Sequence, residues 1–145
     1  MKIAMGSDHA GYRLKETLKE HLESGGHEVT DYGTFFEESV DYPDIGFQVA
    51  KGVAEGAHPR GVLICGTGQG MVMTANRVKG VRAALCFDPE AARMARKHND
   101  ANVLVLSGWS VPPEEAVKIV EIWLTTEFEG GRHLRRIRKL DDLKS

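Results

Sequence analysis

Five short apolar runs in this chain are each followed by a stretch with helical periodicity, and few architectures accept that alternation. KIAMG (2–6), HEVTDYG (27–33), GVLICG (61–66), VRAALCF (81–87) and NVLVLSG (102–108) read as strands. After the first, Leu14, Leu18 and Leu22 recur four apart and mark one face of a helix that Gly25-Gly26 ends. Pro43 opens a second helix with Ile45, Val49 and Val53 on one side. A third covers Met71–Arg77, and Asp88 and Pro89 supply an N-cap and a first-turn proline to a fourth over 88–99. The fifth, 112–128, turns Ala116, Val120 and Trp123 inward, and a basic helix follows Gly130-Gly131.

Strands that alternate with helices pair in parallel through crossover connections. The third to fifth runs are apolar almost throughout, as strands covered on both faces should be. The expected fold is therefore α/β: a doubly wound, Rossmann-like, five-stranded parallel sheet with a C-terminal basic helix. A length of 145 residues predicts one domain, 1–145.

Such sheets bind ligands at the carboxyl ends of their strands. That rule brings together Asp8-His9, the stretch from Cys65 to Gly70, and Ser107 to Trp109. His98-Asn99 lie just before the fifth strand, at the opposite edge. They would reach a ligand more naturally in a neighbouring subunit.

The stretch LICGTGQGM (63–71) places a cysteine before three glycines in five positions. Glycines let backbone amides approach a ligand, and a helix starting there adds its positive end. The turn is a cradle for a phosphate or a transient oxyanion, and a helix N-terminus favours a thiolate. Three readings of Cys65 compete. It is a buried structural cysteine, a phosphatase nucleophile, or a base that removes a proton beside a carbonyl. The phosphatase reading requires an arginine six positions on, where this chain has Met71. A dinucleotide fingerprint fails too, because the spacing is GxGxG and no acidic residue ends the next strand.

Asp8 reads either as an N-cap with His9 on the surface, or as one of a pair turned into the cleft. His98 either complements the negative end of its helix or does acid–base work near neutral pH. In the last helix, Leu134, Ile137 and Leu140 form an apolar stripe, and Arg132 and Arg136 flank it on one side, placed to meet one phosphate. His21, His27, His58 and His133 lack metal-ligand spacing and read as surface or boundary residues. Cys86 and Trp123 read as core.

The formal net charge of -2 argues against nucleic acid as a partner. The N-terminus is too short and polar for a signal peptide, and no run reaches the length of a membrane span. Two cysteines in apolar runs suit reduced thiols and a cytoplasmic location.

Together, DHAG after the first strand, DYPD (41–44), CGTGQGM (65–71), HNDANVL (98–104) and EGGRH (129–133) resemble the ribose-5-phosphate isomerase type B family. That family includes the galactose-6-phosphate isomerase subunits. The resemblance runs in order along nearly the whole chain. It implies an aldose–ketose isomerase that interconverts ribose 5-phosphate and ribulose 5-phosphate through an enediolate. Cys65 would be the base. Gly66, Gly68 and Gly70 would form the anion hole, with Thr67 on substrate hydroxyls. His98 would open the furanose ring with help from Asp8. Asn99 and Tyr42 would contact substrate, and His9, Arg132 and Arg136 the phosphate. The resemblance further implies a homodimer or homotetramer with shared active sites, and neither metal nor organic cofactor. Where many relatives carry an arginine after the fifth strand, this chain has Trp109, and Gln69 replaces a more usual aliphatic residue. Alternatives are an isomerase of a six-carbon aldose 6-phosphate of the allose or galactose type, and a non-catalytic sugar-phosphate-binding subunit.

Overall fold

A computed structural model describes residues 1–143. The strands are β1 (Lys2–Ser7), β2 (Glu28–Asp31), β3 (Arg60–Cys65), β4 (Ala83–Leu85) and β5 (Val103–Ser107). The helices are α1 (Tyr12–Ser24), α2 (Tyr42–Ala54), α3 (Gln69–Ala75), α4 (Pro89–Asn99), α5 (Pro113–Thr125) and α6 (Arg132–Asp141). All strand pairs are parallel, in the order β2-β1-β3-β5-β4. No helix among the described residues is long and apolar enough to cross a membrane.

Successive strand residues face opposite sides of a sheet, so each strand feeds two cores. Ile3, Met5, Val62, Ile64, Leu104 and Leu106 meet α1, α4 and α5 through Leu14, Leu18, Leu22, Ala92, Ile119 and Trp123. Ala4, Leu63, Cys65, Val103 and Val105 meet α2 and α3 through Val49, Ala50, Val53, Met71 and Ala75. Each fully buried Leu or Ile contributes about 2 kcal/mol by its removal from water. The sheet admits α2 closely because Gly6 and Gly61 leave room for Val49 and its neighbours.

The alternation of elements places the switch point. From β1 the chain moves outward to β2, then returns across β1 to β3. A crevice opens where such directions diverge, here between the carboxyl ends of β1 and β3.

Two expectations change. VRAALCF yields only the three-residue strand β4, at the sheet edge and half-buried, because β5 inserts between β3 and β4. The stripe of the last helix docks differently: Ile137 is buried, but Leu134 is 37% and Leu140 51% exposed. Its second buried residue is His133.

Candidate active site

The β1 end supplies Asp8 and His9. Asp8 is buried, and its Oδ1 accepts from the Gly11 amide at 3.0 Å. That bond shapes the turn before α1, whose N-cap is Gly11 itself, so Asp8 is not the cap. The Asp8 amide donates to the Ile64 carbonyl at 3.2 Å, which ties this turn to β3 beside Cys65. His9 Nδ1 accepts from the Val40 amide at 3.2 Å. With Nδ1 used as an acceptor, the neutral ring carries its proton on Nε2, a free donor for an anionic oxygen.

The β3 end supplies Cys65 and the glycine turn. Cys65 is 4% exposed and packs on the α2–α3 side of the sheet. The Gly66 carbonyl accepts from Ser107 Oγ at 2.6 Å and from the Trp109 amide at 3.1 Å. In a trans peptide, C=O and N–H point opposite ways. The Thr67 amide is thereby turned away from β5, and neither it nor the Gly68 amide meets an acceptor among the described residues. Thr67 Oγ1 accepts from the Gln69 amide at 3.2 Å, and the Gly70 and Met71 amides are first-turn groups without intrahelical partners. Gly68 has φ +82°, which favours glycine.

Two rings wall this turn. A Cβ on Gly66 would lie 2.7 Å from Trp109 Cζ2, and one on Gly70 would lie 2.5 Å from Tyr42 Cε1. Glycine spacing signalled the turn; the two rings that demand glycine there come from distant elements and left no local signal.

His98 and Asn99 end α4 at the other edge, as their position before β5 predicted. The Gly61 amide at the start of β3 donates to the Asn102 carbonyl at 2.9 Å. From Gly61 to Cys65 a strand spans about 13 Å. A cleft of about 360 Å³ there is lined by His98, Asn99, His133, Arg136, Ile137 and Leu140. Arg136 is in its wall. Arg132 is exposed at the start of α6 and does not line it. Both arginines nonetheless lie close enough to His133 for their charges to act on it.

Two of the histidines read as boundary residues prove buried. His58 accepts from, or donates to, the Tyr32 hydroxyl at 3.1 Å. His133 stacks on His98, with ring centroids 4.3 Å apart and planes 13° from parallel. Burial, His98, Arg132 and Arg136 push His133 below the ordinary histidine value, and Glu129 alone opposes them. Donor atoms of His98, Glu129 and His133 lie within 4.8 Å of one another. One cation cannot lie in the planes of two nearly parallel rings, and the adjacent arginines repel it, so the trio is poorly arranged for a metal. Cys86 is core: burial, aided by Asp88, pushes its thiol up to about 11, which leaves it inert at neutral pH.

A thiol beside unpaired amides, with an imidazole donor one strand away at a switch point, defines an α/β enzyme for a small anionic substrate. The family model described as Ribose/Galactose Isomerase matches residues 3–140, and the chain belongs to that family. It is 45% identical over 139 residues to ribose-5-phosphate isomerase B of Escherichia coli K12, covering 96% of this chain and 93% of the relative. The structure of Clostridium thermocellum ribose-5-phosphate isomerase B superposes with a TM-score of 0.97 at 50% identity, covering 98% of this chain and 96% of that one. That of Mycoplasma genitalium ribose-5-phosphate isomerase B with bound ribulose-5-phosphate gives 0.93 at 46%, covering 97% and 93%.

Proposed function

We propose that the chain interconverts ribose 5-phosphate and ribulose 5-phosphate in a cytoplasmic homodimer or higher homo-oligomer, each active site built from two copies. The observation that carries the reading is the pairing of Cys65 with the unpaired Thr67 and Gly68 amides at the β1–β3 crevice. The bound ribulose-5-phosphate of the Mycoplasma genitalium relative supports the substrate.

One copy contributes Cys65, Thr67, the glycine turn, Asp8, His9 and Tyr42. The partner's His98, Asn99, Arg132 and Arg136 close the site. The separation of these groups across the sheet supports that division, since no motion within one packed sheet would join them.

The chemistry proceeds in two stages. His98 takes the proton of the anomeric hydroxyl and delivers it to the ring oxygen O4 as the C1–O4 bond breaks, which leaves the open aldehyde, a hydroxyl on C4 and the imidazole as it began. The Cys65 thiolate then removes the C2 proton. The electron pair moves into the C1–C2 bond, and the former carbonyl oxygen becomes the enediolate oxygen. Amides of the turn stabilise that charge; one such donor is worth about 3 kcal/mol in the barrier. Return of the proton from Cys65 to C1, with transfer of the O2 proton to O1, yields the ketose. His9, Arg132 and Arg136 hold the phosphate, so binding energy far from the reacting carbons orients them.

Purified chain should convert ribose 5-phosphate without added metal or cofactor. Cys65→Ala should fold and lose about 100-fold or more in kcat. An Ala variant with parent turnover would remove Cys65 as the base.

A further inference from the structure

The His98–His133 stack has no part in the mechanism above. His133 is 6% exposed, and its Nε2 has no hydrogen-bond partner among the described residues. Glu129 Oε2 is the nearest acid, at 3.6 Å. The backbone holds the two rings face to face. The Glu129 amide donates to the Lys97 carbonyl at 3.1 Å, which latches the segment before α6 onto the last turn of α4. His98 is the half-buried member and shares the cleft with Asn99 and Arg136.

We propose that His133 is a positioning residue for His98: its buried ring is the surface against which the His98 imidazole lies, so that the His98 nitrogens meet the bound sugar in one orientation. The proposal deepens the function above and rests on the assignment of ring opening to His98. A lone imidazole at a helix end rotates about two side-chain bonds, and a flat surface at van der Waals distance removes most of that freedom. Catalytic groups lose about 100-fold in rate when displaced by about 1 Å, so a fixed ring is worth that much to the step it serves. The charges around the pair keep its roles distinct. His98, Arg132 and Arg136 all disfavour a proton on His133, and Glu129 alone favours one. Burial and these charges together favour the neutral form of the His133 ring, so that it acts as a surface for His98.

The test separates ring opening from proton transfer. Ribulose 5-phosphate cannot close a five-membered ring, because its C5 oxygen is esterified. Deuterium exchange into its C1 position reports the Cys65 step alone. His133→Ala should lower kcat on ribose 5-phosphate by about tenfold to a hundredfold with KM little changed. Deuterium exchange should stay within about twofold of the parent. His133→Phe, which keeps a flat ring and removes the nitrogens, should recover most of the lost turnover. In NMR spectra of the assembled protein, His98 ring protons should lose their upfield ring-current shift in His133→Ala and keep it in His133→Phe. The proposal is overturned by an Ala variant with parent turnover, by equal loss in both reactions, by a Phe variant no better than Ala, or by unmoved His98 resonances. His98→Ala separates the two claims. If it converts ribose 5-phosphate at the parent rate, the ring-opening assignment fails and the stack loses its purpose. If it is slow while His133→Ala is fast, the stack alone is overturned.

Discussion

The Lys15 ammonium meets both oxygens of Asp31, at 2.8 and 2.7 Å, with no exposed surface on the lysine side chain. Its third donor reaches the Thr34 carbonyl at 2.6 Å. Helix α1 thereby holds the end of β2 and the start of the segment that brings Val40 to His9 and Tyr42 to the glycine turn. A buried ion pair is costly to assemble and costlier to halve. Lys15→Met should lower unfolding free energy by about 3 kcal/mol, read by urea titration, because Asp31 keeps a buried charge. Stability within about 1 kcal/mol of the parent would show that Lys19, 3.4 Å from the same carboxylate, suffices.

Gly70 and Tyr42 offer a test of the turn's walls. Gly70→Ala should cost about 1–3 kcal/mol in stability through overpacking. It should also slow turnover, since the displaced backbone carries the anion-binding amides. Adding Tyr42→Ala should return part of the stability lost, although the double variant lacks a substrate contact. A double-mutant cycle on thermal unfolding reads the coupling. Strict additivity would mean that the ring moves aside freely.

Trp109 lies over Gly66 and is 73% exposed. An indole offers an apolar face and a single donor, whereas a guanidinium pairs with phosphate. Trp109→Arg should change the ratio of kcat/KM for ribose 5-phosphate to that for allose 6-phosphate by about tenfold, one lost or gained charged contact. Competition assays at fixed salt measure it. An unchanged ratio would make the residue incidental to selectivity.

His133 makes stability depend on pH with a definite sign. Its folded value lies below the unfolded one, so the unfolded chain binds more protons in the interval between them. The neutral buried ring is fully compatible with folding above the unfolded value of about 6.5, and stability falls as pH drops through that value toward the folded one. His133→Phe should lose this dependence. The stability of the variant relative to the parent should therefore rise between pH 7 and pH 5, read by denaturant midpoints. Parallel curves would place the dependence on other groups.

Much of the site was legible because strand ends are local. Apolar runs and helix signals located the ends of β1 and β3, and those ends put Asp8, His9 and Cys65 at one edge. The same reading placed His98 and Asn99 at the other. What escaped was contact between elements remote in sequence. His133 looked like a boundary residue, since nothing near it in the chain reveals that α6 lays it against α4. The short edge strand β4 looked like a core strand, since its apolar letters do not record which neighbour β5 displaces.

Periodicity and glycine spacing by themselves determined the α/β architecture and the thiol-headed turn, because backbone geometry repeats every two residues in strands and every 3.6 in helices. Tertiary structure alone decided which rings wall the turn, that Lys15 is buried on Asp31, and that His98 lies on His133. These depend on distances between elements, set by how side chains fill space across the sheet and carried by no local stretch of chain.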